Sequence, residues 1–311
     1  MKLDSWNVQA GDVVLFSYEK DDFISSMIAF LTDSSVSHAA MGYDVARHLI
    51  VEETPPQLSV NHADERFKGR TITVRRLKDE TLSVEPLIDA ANAHLQNAEP
   101  YSDCGLYLLG VVLIAKKFIP KVGQDETLTR LLELCCVVIT TMLDKCKNPG
   151  KVPMTCSHFV SQCYTDAARA TKNNKYELNA HNRALKKNGS PETLLELALS
   201  ESVNILESVS EEVDSPEMTL EQLICEANQL AKRYLEAEPA SDMLTAWKPS
   251  AKLLKTVRQF ARKLIRLFTN EKFDVPSTLI DFFTNHKDML VSPADLLQCQ
   301  ALETVAIIPE E

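Results

Sequence analysis

The chain has 311 residues, 45% of them hydrophobic and 25% charged, with a formal net charge of -11. That is enough apolar material for a substantial core and argues against a disordered chain. The acidic balance opposes a polyphosphate backbone, so no nucleic-acid partner is expected, and 8 glycines with 6% aromatics tilt the composition toward helix.

The opening MKLDSWNVQAGDVVLF lacks the charged n-region, apolar run and cleavage site of a secretory signal. The 8 cysteines show neither a CxxC pair nor a compact disulfide framework. Reduced thiols and a cytoplasmic location are expected, with specialised secretion as the other route.

Four short, often β-branched runs follow: DVVLF (12–16), HAAMGY (38–43), HLIVEE (48–53) and RTITVRR (70–76). They predict neighbouring strands of one small antiparallel sheet. Between the first two, DDFISSMIAFLTDS places Phe23, Met27, Phe30 and Leu31 on one helical face. From about residue 83 the period becomes 3.6, with helices predicted in SVEPLIDAANAHLQNA, CGLYLLGVVLIAKKFI, ETLTRLLELCCVVITTMLDKC and TCSHFVSQCYTDAARA. The apolar run at 106–115 stops at Lys116 and Lys117, short of the roughly 20 residues of a membrane span, and reads as a buried helix. Ser190-Pro191, Ser215-Pro216 and Ser292-Pro293 each put a capping hydroxyl before a proline suited to a first helical turn.

Cys156 has a chemically apt place. A helix starting near Thr155 sets the thiol at the positive end of the helix dipole, among amides that favour a thiolate and can hold an oxyanion. A nucleophilic thiol needs a base, and the base an orienting group. His158, two residues on and about 200° around the helix, points away. His38, at the head of a strand, is the better candidate. Its orienting partner is sought on the paired strand, where an odd hairpin loop presents Glu52 and an even one Glu53. The tightest even loop centres on Val45-Ala46, a poor pair for positive φ, which favours Glu52.

The succession AGDVVLF, LTDSSVSHAAMGY, VEE, PYSD, TCSHFVSQCY resembles circularly permuted papain-like cysteine hydrolases of the NlpC type, in the branch containing the bacterial proteins YiiX and YaeF. Lecithin retinol acyltransferase is a more distant relative. The resemblance spans residues 10–164 and implies Cys156 as nucleophile, His38 as base and Glu52 as the residue orienting it. Tyr101 and Thr155 lie near the site. The sequence departs from the pattern at Glu53, where relatives have alanine, so Glu53 is kept as the alternative third residue. SPADLLQCQALETVAII (292–308) resembles the segment that closes the catalytic domain. The implied organisation is an α+β, permuted papain-like fold, its small antiparallel sheet packed on helices: a catalytic core at 1–174, a large helical insertion at 175–290 and a C-terminal segment, 291–311, returning to the core.

The implied function is thiol-dependent hydrolysis of a peptide, amide, ester or thioester, without metal or organic cofactor. The alternatives are a lipid acyltransferase using the same residues and a catalytically inactive binding or regulatory protein on this scaffold. In KLLKTVRQFARKLIRLF (252–268), Leu253, Val257, Phe260, Leu264 and Phe268 form an apolar stripe beside six cations. That stripe suits the core of this acidic protein, and also a protein partner or a membrane surface.

Overall fold

The structure, a computed structural model, describes residues 7–54, 57–97, 104–116, 123–145, 154–180, 193–200, 218–237, 249–269, 282–283 and 285–310. It is α+β. Six strands form one antiparallel sheet: β1 (Val13–Ser17), β2 (Val36–Asp44), β3 (Leu49–Thr54), β4 (Gln57–His62), β5 (Ile72–Leu77) and β6 (Leu302–Ile308), in the order β4-β3-β2-β1-β5-β6. The four expected strands are β1, β2, β3 and β5. β4 extends one edge, and β6 comes from the far end of the chain to pair with β5, Ile72 opposite Ile308.

The sheet is covered on both faces, so β1 reads as the continuous apolar run VVLF rather than an alternation. Val13 and Leu15 enter one core with Ala39, Met41 and Val51, while Val14 and Phe16 enter a smaller one with Ala40, Ile50, Ile72 and Val74. The larger face is packed by α3 (Glu85–Gln96), α6 (Cys156–Thr171) and α10 (Pro293–Gln298). Ser292 caps α10 reciprocally: its Oγ accepts the Asp295 N–H at 3.3 Å, and Asp295 Oδ2 accepts the Ser292 N–H at 2.7 Å. The Ser190-Pro191 and Ser215-Pro216 starts lie outside the described residues.

A third core joins α1 (Phe23–Leu31), α4 (Cys104–Ala115), α5 (Asp125–Lys145), α7 (Leu194–Ser200), α8 (Leu220–Glu236) and α9 (Ala251–Thr269). Helix α4 is apolar all round and buried all round, as such a helix must be. Among the described residues no helix is long and apolar enough to cross a membrane. Gly110 lets α9 approach α4: a Cβ there would sit 2.4 Å from the Phe260 ring and 3.0 Å from Cys135 Cβ.

The apolar stripe of α9 is interior, with Leu253, Val257, Phe260 and Leu264 all buried against the helical core. The stripe thus takes the core placement, one of those the sequence offers for it. Three of the flanking cations reach the protein's own acceptors: Lys252, itself exposed, pairs with Glu133 at 3.2 Å, Arg258 Nε donates to the Ala198 carbonyl at 2.6 Å and Lys263 Nζ to Thr140 Oγ1 at 2.5 Å. Phe268 is outside what is described of side chains.

Candidate active site

Helix α6 starts where the sequence predicts. Thr155 is its N-cap, fully buried, its Oγ1 accepting the His158 N–H at 3.2 Å. The cap uses the third amide of the turn and leaves the N–H groups of Cys156 and Ser157 without a partner inside the helix. The helix is fixed from the far end of the chain: Ser157 Oγ donates to the Val291 carbonyl at 2.7 Å and Ser161 Oγ to Asp288 at 3.0 Å. Cys156 itself is fully buried at the seam between the two large cores. It packs with the helical one, whereas Phe159, Val160 and Cys163 of the same helix pack on the sheet.

His38, the third residue of β2, lies opposite Phe16 of β1, the two rings 5.2 Å apart. Its Nε2 lies 2.6 Å from Glu52 Oε2. An ionised carboxylate only accepts, so Nε2 carries the proton and Nδ1 keeps a lone pair. Glu52 is completely buried, and both of its oxygens are fully engaged. Asn61 Nδ2 donates to Oε1 at 2.9 Å, and Arg66, at the end of α2 (Ala63–Arg66), donates from Nε to Oε1 at 2.6 Å and from a terminal nitrogen to Oε2 at 3.2 Å. Burial pushes this carboxyl up, but the hydrogen bond from His38, the charge that ring carries when protonated, and the charge of Arg66 outweigh it and bring the pKa down to about 2.

The hairpin reaches Glu52 by a route the loop argument did not foresee. Asp44 pairs with Leu49, leaving an even, four-residue loop, which alone would put Glu53 on the face of His38. Between Gly42 and Asp44 the register shifts, and the extra residue, Tyr43, restores the other parity: Gly42 faces Ile50 and Met41 faces Val51. One bulge exchanges which face every later side chain occupies. Glu52 therefore shares His38's face and makes the hydrogen bond, while Glu53 is buried with its side chain on the other parity.

By the same parity His38 and Glu52 belong to the face of Phe16, Ala40 and Ile50, and α6 covers the opposite one. The two faces meet at the end of the sheet. The β2–β3 pairs end at Met41 and Val51, and beyond them a cavity of about 140 Å³ is lined by His38 and Arg66 from one side and by Ser37, Glu53 and Cys156 from the other. Among the described residues, Cys156 Sγ makes no hydrogen bond; Cys156 and His38 both line this cavity.

His158 points elsewhere, as expected. It is buried near His94, Asp166 and His286, and burial brings its pKa down to about 3. Tyr101 lies outside the described residues. Sequence reasoning missed Arg66 and Asn61. The signal for Asn61 was the alternation of QLSVNH, polar at Ser59 and Asn61, which marks a half-buried strand. Among the described residues no three His, Cys, Asp or Glu side chains are grouped to hold a metal ion. Comparison of the chain with protein-family models, with curated proteins and with solved structures found no match.

Proposed function

We propose that the protein is a cysteine hydrolase of the circularly permuted, papain-like NlpC type, acting on an amide, ester or thioester through an acyl-enzyme on Cys156. The observation that carries this reading is one cavity walled by both Cys156 and a histidine whose other ring nitrogen is tied to a buried, four-bonded carboxylate. The order of elements supports the family reading: histidine strand first, cysteine helix later, closing strand last.

Nδ1 of His38 takes the thiol proton, and the thiolate attacks the acyl carbon. The amides of Cys156 and Ser157 receive the charge that develops on oxygen. The imidazolium returns its proton to the leaving amine, alcohol or thiol as the carbon–heteroatom bond breaks. Water, deprotonated by His38, then attacks the thioester, and Cys156 leaves as the thiol, taking the proton back. Glu52 cannot turn away from the ring, because Asn61 and Arg66 occupy its remaining acceptor sites. The cavity is smaller than the roughly 300–1,000 Å³ of ordinary ligand pockets, so a narrow acyl group suits it. A lipid acyl chain would need apolar space along α4, where Leu106, Leu109 and Val112 are packed in the core.

The test is site-resolved alkylation by iodoacetamide. Among the described cysteines Cys225 is the exposed one and serves as the internal reference. Burial holds the Cys136 thiol up at about 12 and raises those of Cys163 and Cys299. Cys156 is expected to react at least about 10-fold faster than Cys225, and about 100-fold slower in His38→Ala. A Cys156 slower than Cys225, or indifferent to His38→Ala, overturns the proposal and leaves the inactive-scaffold reading.

A further inference from the structure

The cavity wall carries a hydroxyl proton that none of the described residues accepts. Ser25 of α1 and Ser37 of β2 lie 2.7 Å apart, Oγ to Oγ, and both line the cavity with Cys156. They are 7% and 5% exposed. Ser25 Oγ also accepts the Glu19 N–H at 3.0 Å. The pair holds two hydroxyl protons. One is shared between the serines, and among the described residues no further acceptor takes the other. A hydroxyl that already accepts a hydrogen bond is polarised into a better donor, so Ser25 donates to Ser37, and the Ser37 proton is the one left over. An unused buried donor is costly, and it becomes productive when a ligand supplies the acceptor.

We infer that Ser37 donates a hydrogen bond to the acyl oxygen of the substrate, alongside the Cys156 and Ser157 amides, with Ser25 holding it in place. This rests on the hydrolase reading above and adds a recognition element to it. The cavity is too small to bring a distant part of a substrate to Ser37, so the acceptor it meets belongs to the reacting group. Ser37 is the extra residue of a bulge in β2, between His38 opposite Phe16 and Val36 opposite Ser17, and it lines the cavity with Cys156.

Two probes separate the inference from the reading it rests on. Iodoacetamide alkylates a thiolate by displacing iodide at a saturated carbon and develops no oxyanion. p-Nitrophenyl acetate does develop one: the Cys156 sulfur bonds to the acyl carbon, the thiol proton passes to His38, the ester C–O bond breaks and p-nitrophenolate leaves. In Ser37→Ala, Cys156 acetylation is expected to slow about 10- to 100-fold, with its alkylation rate within about twofold of the parent and acetylation largely restored in Ser37→Thr. Ser25→Ala is expected to show a smaller loss, since the donor remains but is less well held. Unchanged acetylation in Ser37→Ala overturns the inference. So does an equal loss with both probes, which marks Ser37 as a packing residue only. Failure of the parent Cys156 to alkylate faster than Cys225 is a different result: it removes the hydrolase reading, and the inference with it.

Discussion

The helical layer and the open end of the sheet are buried to similar depth by opposite means. Around Gly110 and Phe260 the helices meet without a charged group between them, and stability there is a matter of volume. Around Glu52 a full charge is buried, and it is tolerable only because His38, Asn61 and Arg66 fill its acceptor sites. Packing can be lost from the first region without touching chemistry. In the second, stability and the proposed chemistry rest on the same contacts.

Phe260→Ala is expected to cause the largest loss, about 4 kcal/mol, by opening a cavity against α4. Measured by urea unfolding, that loss should leave the alkylation rate of folded Cys156 unchanged. Glu52→Ala should cost about 3 kcal/mol, near the low end for breaking a buried ion pair, because Arg66 is 37% exposed and partly regains water. Here the Cys156 rate should fall with stability. If Glu52→Ala left reactivity intact, the two regions would not differ as claimed. Gly110→Ala sharpens the comparison from the other direction. Its methyl group would meet the Phe260 ring at 2.4 Å, and overpacking of about 2–3 kcal/mol should outweigh the better helix propensity of alanine, again with reactivity unchanged.

The smallest effect is expected from pH. The buried His158 has its pKa brought down from 6.5 to about 3, so the unfolded chain binds a proton that the folded one refuses. Stability from this group is complete above pH 6.5 and is lost as the pH falls toward 3, by about 2 kcal/mol between pH 7 and 5. Glu52, brought down from 4.5 to about 2, adds its own loss only below pH 4.5. Urea midpoints at pH 7 and pH 5, compared between the parent and His158→Gln, should therefore show a shallower pH dependence in the variant. An identical dependence would deny His158 its neutral burial.

Much of this was legible in the sequence, because the signals were local. Strands β1, β2, β3 and β5 announced themselves by β-branched runs, and α6 by Thr155 and the apolar spacing behind it. β4 escaped notice because Pro55 and Pro56 precede a run whose alternation is half polar. Glu52 was named through a loop argument that the structure replaces with the bulge at Tyr43. A single extra residue changes parity without leaving a compositional mark, so that choice was not decidable from the loop alone. Arg66 and the Ser25–Ser37 pair are products of tertiary placement: the first arrives on a one-turn helix, the second bridges a helix and a strand.

The central claim is that the Cys156 sulfur and the His38 ring converge on one reacting group. A short bifunctional reagent, 1,3-dibromoacetone, tests it directly, since bridging needs one bromide displaced by the thiolate and the other by the imidazole of a neighbour within reach. Peptide mass spectrometry of the treated protein should find Cys156 joined to His38. Cys156 alkylated at one end only, with His38 unmodified, would contradict the account.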